Sequence, residues 1–198
     1  MTRKKSNGNL LRTLWDLCYQ MIPVALGVYL GFVVSNWSEQ RRTQSETDIL
    51  LQNLKQEIEA NQEGLEAVLA YHTLLRDSSR HYSNSDVPVR KPDFFKGTRV
   101  FKLTNSAYQT GLQTGVINEL PLNHIQRLNK LYTFQEDYNE FVDMLMLTLI
   151  QKDFSEKEED IRSIVRFLSL TMTDLVIKEK DLITGYQLTT DLLGEPGN

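Results

Sequence analysis

The stretch Met21–Val34, MIPVALGVYLGFVV, carries no charge over fourteen residues, and Tyr29 is its one strongly hydrogen-bonding side chain. With its flanks from Leu17 to Trp37 it approaches the ~20 residues that a helix needs to cross a bilayer core. A run of this length also suits a buried core helix or the apolar part of a signal peptide, so the flanks decide. Trp15, Tyr19 and Trp37 bracket the run as interfacial aromatics do, and Arg3, Lys4, Lys5 and Arg12 precede it. The best cleavage site on offer, Val33-Val34-Ser35, matches the small-residue pattern poorly. Residues 14–37 are therefore expected to be a retained transmembrane anchor behind a basic, disordered tail at residues 1–13.

Within the anchor, Pro23, Gly27, Gly31 and Ser35 recur at intervals of four, which places them on one helical face with a GxxxG at its centre. Small residues let two backbones approach closely in lipid, so packing of two anchors is one reading. The other is that glycine is simply common in membrane helices. Four Lys and Arg before the span, against Arg41, Arg42 and Lys55 shortly after it, favour a cytoplasmic amino end. In a bacterium this makes a single-pass inner-membrane protein with its carboxyl-terminal domain in the periplasm. Cys18 is the only cysteine, which excludes an intramolecular disulfide.

Beyond residue 37 the chain holds 18 Lys plus Arg against 25 Asp plus Glu, a balance of −7. An acidic body without a basic cluster argues against nucleic acid and against lying flat on anionic lipid. Residues 38–198 are long enough for one core and are expected to form an all-α domain. The neck, residues 38–50, has no Pro or Gly to stop a helix leaving the membrane. After it Leu51, Leu54, Ile58, Asn61, Leu65, Val68, His72 and Leu75 step by three and four, the seam of a coiled coil or bundle. One helix is thus expected from about Leu14 to about Ser79. Asn61 on that seam would fix register and His72 would sense pH, or both are hydrogen-bonded core positions.

Residues 80–103, with Pro88 and Pro92, read as a loop holding a short extended piece at Arg99–Leu103. Thr104-Asn105-Ser106 offers N-caps for a short helix that Gly115 ends. A second long helix, with Pro121 in its first turn, buries Ile125, Leu128, Tyr132, Tyr138, Val142, Leu145 and Leu149. After a turn of two or three residues near Asp153, the capping box Ser155–Glu158 heads a third. Its seam is Ile161, Val165, Leu168, Met172, Leu175, Glu179, Leu182, Tyr186, Thr189 and Leu193. So short a turn makes these two helices antiparallel neighbours. With the first helix covering their remaining apolar face, the domain is expected to be an elongated bundle of three long helices and one short one.

Two segments carry a resemblance. Gly31-Phe32-Val33-Val34-Ser35-Asn36-Trp37-Ser38-Glu39-Gln40-Arg41-Arg42, followed by Leu51, Leu54, Glu57, Ile58 and Asn61, resembles the start of a bacterial family of small single-span membrane proteins. Ser106-Ala107-Tyr108 with Gly115, Asn118, Leu122, Leu128 and Tyr132 is similar to a second block of that family, from which Gly111 before Leu112 departs. The family's helical domain is of unknown function. The resemblance implies an anchored helical architecture and carries over no catalytic residue.

A di-iron carboxylate bundle needs Glu-x-x-His pairs, yet Leu69, Ser78 and Pro121 stand three residues before His72, His81 and His124. There is no zinc spacing, phosphate loop or cysteine nucleophile, and Glu57, Glu59, Glu63 and Glu66 read as the solvated face of a helix. No catalytic site, metal or cofactor is expected. The leading expectation is a non-enzymatic membrane-anchored interaction or scaffold protein, either a homo-oligomer or an accessory subunit of another envelope protein. The alternative is a sensory or ligand-binding bundle, with its site in the loop 80–103 and a block containing Tyr108, Gly111, Gly115 and Tyr132.

Overall fold

The computed structural model describes residues 8–85 and 93–194, and side chains from Trp15 onward with the exception of residue 16. Every regular element among them is helical: α1 (Gly8–Ser83), α2 (Ser106–Thr114), a 3-10 turn (Val116–Glu119), α3 (Leu122–Ile150) and α4 (Glu158–Gly194). The chain divides into two units, Met1–Glu46 and Thr47–Asn198.

The first unit consists of the leading part of α1. It contains one helix long and apolar enough to cross a membrane, with an 18-residue window of mean hydropathy 1.8 of which nothing is buried. The helix runs through Pro23, whose ring removes one backbone bond that a membrane helix tolerates. Helix begins at Gly8, inside the expected tail, because nothing in residues 8–13 breaks it; residues 1–7 lie outside the described residues. After the apolar run, Arg41 lies over the Trp37 ring at 3.8 Å and Arg42 pairs with Glu46 at 2.8 Å.

The second unit has one main core cluster, contributed by α1, α2, α3, α4 and the segment between α1 and α2. On α1 burial begins at Thr47 and Leu50, within the expected neck. Leu54, Ile58, Asn61, Leu65, His72 and Leu75 are buried as the seam requires, whereas Leu51 and Val68 are only half-buried. All ten expected seam positions of α4 are buried. On α3 the expected stripe is buried apart from half-buried Ile125, and His124, Leu131 and Gln135 join it. The first and last helices pack together, with His72 meeting Glu179 and Arg80 donating to Thr173 at 2.9 Å. α3 and α4 are antiparallel neighbours, as Arg127 to Gly185 and Lys152 to Ser163 show.

The helix ends depart from expectation in ways with clear causes. Asn105 makes no side-chain cap at α2; the Glu57 carboxylate, reaching from α1, accepts the Ala107 N–H at 2.9 Å instead. Gly115 does end α2, in the left-handed conformation at φ 77°. Pro121 stands just before α3, not within it, because its ψ of 143° is extended. The α3–α4 connection is longer than two or three residues: Ser155 accepts the Lys157 N–H at 3.2 Å and donates to Asp160, so the helix starts at Glu158. Glu158, freed from the capping box, pairs with Arg162.

Candidate functional site

The expected loop 80–103 is only partly a loop. α1 takes its first residues as far as Ser83, and residues 86–92, with both prolines, lie outside the described residues. The segment from Phe94 to Asn105 forms no strand at Arg99–Leu103, yet its backbone is bonded at Lys96, Gly97, Thr98, Leu103 and Thr104. Only Thr98 and Leu103 of this segment are buried. Buried backbone groups must find partners, and here side chains of α1 and α3 bond to those two residues and to their neighbours.

At its start, Tyr71 of α1 accepts the Lys96 N–H at 3.0 Å and donates to the Gly97 carbonyl at 2.6 Å. Next, the Thr98 carbonyl lies 2.7 Å from His72 Nε2. Gly97 and Arg99, on either side, both take positive φ, 83° and 56°. That conformation is costly for arginine, and the Arg99 guanidinium settles over the Tyr71 ring at 4.3 Å. Phe101 lies against Gly64, where an added Cβ would come within 2.8 Å of the ring. Asn139 of α3 then clamps Leu103 through both its N–H and its C=O, at 2.9 and 3.0 Å. Asn61 clamps Thr104 in the same way, at 3.0 and 2.8 Å, and Gln135 adds a bond to the same carbonyl at 2.7 Å.

Two deeper groups complete this polar core. His72 Nδ1 lies 2.6 Å from Glu179 Oε1, with both side chains fully buried. Because the Thr98 carbonyl can only accept, Nε2 of His72 must carry a proton. The Nδ1 contact needs one as well, from whichever partner holds it. The pair therefore keeps a shared proton and no net charge, the condition under which such a buried pair survives. Behind it, the Tyr138 hydroxyl and Glu179 Oε2 are buried without a well-aligned hydrogen bond. Burial first, and then the neighbouring Glu179 carboxylate, push the Tyr138 pKa up. The second group joins Tyr186, which donates to Gln135 at 2.7 Å, to Asn61 on the same oxygen.

The Tyr108 block is drawn into the same construction. Tyr108 and Tyr132 are buried and stack at 4.1 Å with their planes 8° apart. Tyr132 donates to Glu57 at 2.7 Å, and Tyr108 donates to Asn129. Gly111 is buried beneath Leu50, and Gly115 is the half-buried cap of α2. Glu57, expected on a solvated face, is instead half-buried and joins α1 to α2 and α3. Its spacing of four from seam residue Asn61 is the signal for this in the sequence. The two segments that carry the family resemblance thus touch each other at Glu57, Ala107 and Tyr132.

The residues expected to form an anchor lie on the leading part of α1. Gly27 and Gly31 have nothing within 4 Å of an added Cβ, and Pro23 and Ser35 are exposed on the same helix. Trp15, Tyr19 and Trp37 are exposed, as is Cys18. Among the described residues no three His, Cys, Asp or Glu side chains gather in a metal-binding arrangement. No family model matches the chain, and neither a curated protein nor a solved structure does.

Proposed function

We propose that the chain is a membrane-anchored, non-enzymatic interaction or scaffold protein of a bacterial envelope. Residues 14–37 insert in the inner membrane with the amino end cytoplasmic, and residues 38–198 form an elongated periplasmic bundle. The observation that carries this reading is the helical stretch of high hydropathy with nothing covering it. Such a surface belongs in lipid or against another protein. A second support is the use made of the polar residues. Glu57, Asn61, His72, Gln135 and Glu179 bond to one another, to tyrosines and to the segment they hold. The family resemblance points to the same architecture.

On this reading the protein acts through contact, as a homo-oligomer or as an accessory subunit. Crosslinking in intact cells, followed by pull-down of the tagged full-length chain, tests it. One other membrane protein in fixed ratio identifies an accessory subunit, and self-crosslinks alone identify a homo-oligomer. A monomer that captures neither itself nor a partner overturns the proposal.

A further inference from the structure

The outer groove between α3 and α4 is an apolar strip that the fold leaves open. Two hollows of ≈ 400 and ≈ 190 Å³ adjoin along it, sharing Phe134, Asp181 and Leu182. Phe134, Ile177 and Leu188 stand 50%, 52% and 53% exposed there. These three half-exposed side chains lie along two adjoining hollows, so the strip is a contiguous apolar surface of the kind a partner can cover.

The two edges of the groove differ in sign. On α3 the lining charges are Lys130, exposed, and Arg127, whose guanidinium already donates to Thr189 and Gly185 of α4; on α4 they are Asp174 and Asp181, with Lys178 between them. Lys178 leans over the Phe141 ring at 5.8 Å. A two-fold axis running along the groove would lay α3 of one copy on α4 of the other, basic edge on acidic edge. It would also bring the apolar strips together. A two-fold axis across the groove would instead set α3 on α3, like edge against like.

Resting on the interaction-protein reading above, we propose that the occupant of this groove is a second copy of the chain, paired about a two-fold axis parallel to α3 and α4. Lys130 of each copy then faces Asp181 of the other, since both line the same hollow. Complementary charge fixes partner and register in such interfaces.

The test uses full-length protein in detergent, with self-association followed by sedimentation equilibrium. Lys130→Glu and Asp181→Lys each place like charges together and are expected to weaken self-association roughly tenfold. A mixture of the two single variants should pair at nearly the affinity of the parent, because both contacts regain opposite charges. Both positions are exposed, so the helical circular dichroism should be unchanged. As a second readout, chains carrying Lys130→Cys and Asp181→Cys in a Cys18→Ser background should form a mixed disulfide. Self-association that persists in the single variants, without the mixed disulfide, overturns the groove pairing and leaves the interaction-protein reading standing. So does a monomer that crosslinks to a different envelope protein. A monomer with no partner at all overturns both.

Discussion

Over residues 17–37 of α1 the apolar side chains face outward, with Tyr19, Val28 and Phe32 at 77%, 70% and 68% exposed. Over residues 47–79 of the same helix the buried positions include Asn61 and His72, at 5% and 0%. One half exposes its apolar side chains and the other buries polar ones, and the helix passes from one to the other without a break. Hydrophobicity alone therefore does not say what a position faces. In the first half no part of the described chain covers these side chains, and on the proposed reading lipid is the solvent that their apolar character suits. In the second half the seam faces a strand-free segment in which backbone groups of buried Thr98 and of Thr104 bond to His72 and Asn61, and polar side chains are what those groups demand.

The sharpest way to break this comparison is to remove a polar residue from the seam. His72→Ala leaves the Glu179 carboxylate and the Thr98 carbonyl buried without their partner, and a loss of about 3–5 kcal/mol is expected in denaturant unfolding. The double variant His72→Leu with Glu179→Leu should recover most of that loss, because no charge is then stranded. A single-variant cost below about 1 kcal/mol would mean that the pair is not what holds the segment. Asn61→Leu should cost about 2 kcal/mol, since it removes the acceptor of the Thr104 N–H and leaves the Thr104 carbonyl with Gln135 alone.

Smaller effects come from the tyrosines behind the seam. Burial is the first cause that raises the pKa values of Tyr132, Tyr138 and Tyr186; the Glu57 carboxylate adds to it for Tyr132 and Tyr186, and Glu179 for Tyr138. The folded state thus holds these protons more tightly than the unfolded state. Stability is intact below the ordinary tyrosine value of ~10 and falls above it, by at most about 1.4 kcal/mol per pH unit for each tyrosine. Melting temperatures between pH 8 and 11 check this, and Tyr186→Phe should flatten the decline. Smallest of all, Gly27→Ile with Gly31→Ile should shift unfolding of residues 47–194 by less than about 0.5 kcal/mol. Weaker association of the full chain in membranes would mark the glycines as a packing face.

Much of this division is legible in the sequence. The charge-free run announces the first half of α1, and the three-and-four spacing announces the second, down to Asn61 and His72 as members of the seam. The α4 seam is readable throughout because its apolar residues repeat almost without interruption. What the polar residues do cannot be read, since their partners lie far along the chain: Asn61 meets Thr104, 43 residues on, and His72 meets Glu179, 107 on. Glu57 reads as solvated for the same reason, because its role depends on Ala107 and Tyr132. The Ser155 cap misleads because Asp160 takes the position expected of Glu158.

The most direct measurement of the contrast within α1 is cysteine accessibility in intact membranes. Single cysteines replace Val28 and Glu63 in a full-length Cys18→Ser chain, and both are treated with a membrane-impermeant maleimide. Both positions are exposed on the protein itself, so only lipid distinguishes them. The expected result is rapid labelling at position 63 and none at position 28 until detergent is added. Equal labelling at both positions in intact membranes would contradict the account, because residues 17–37 would then be in water.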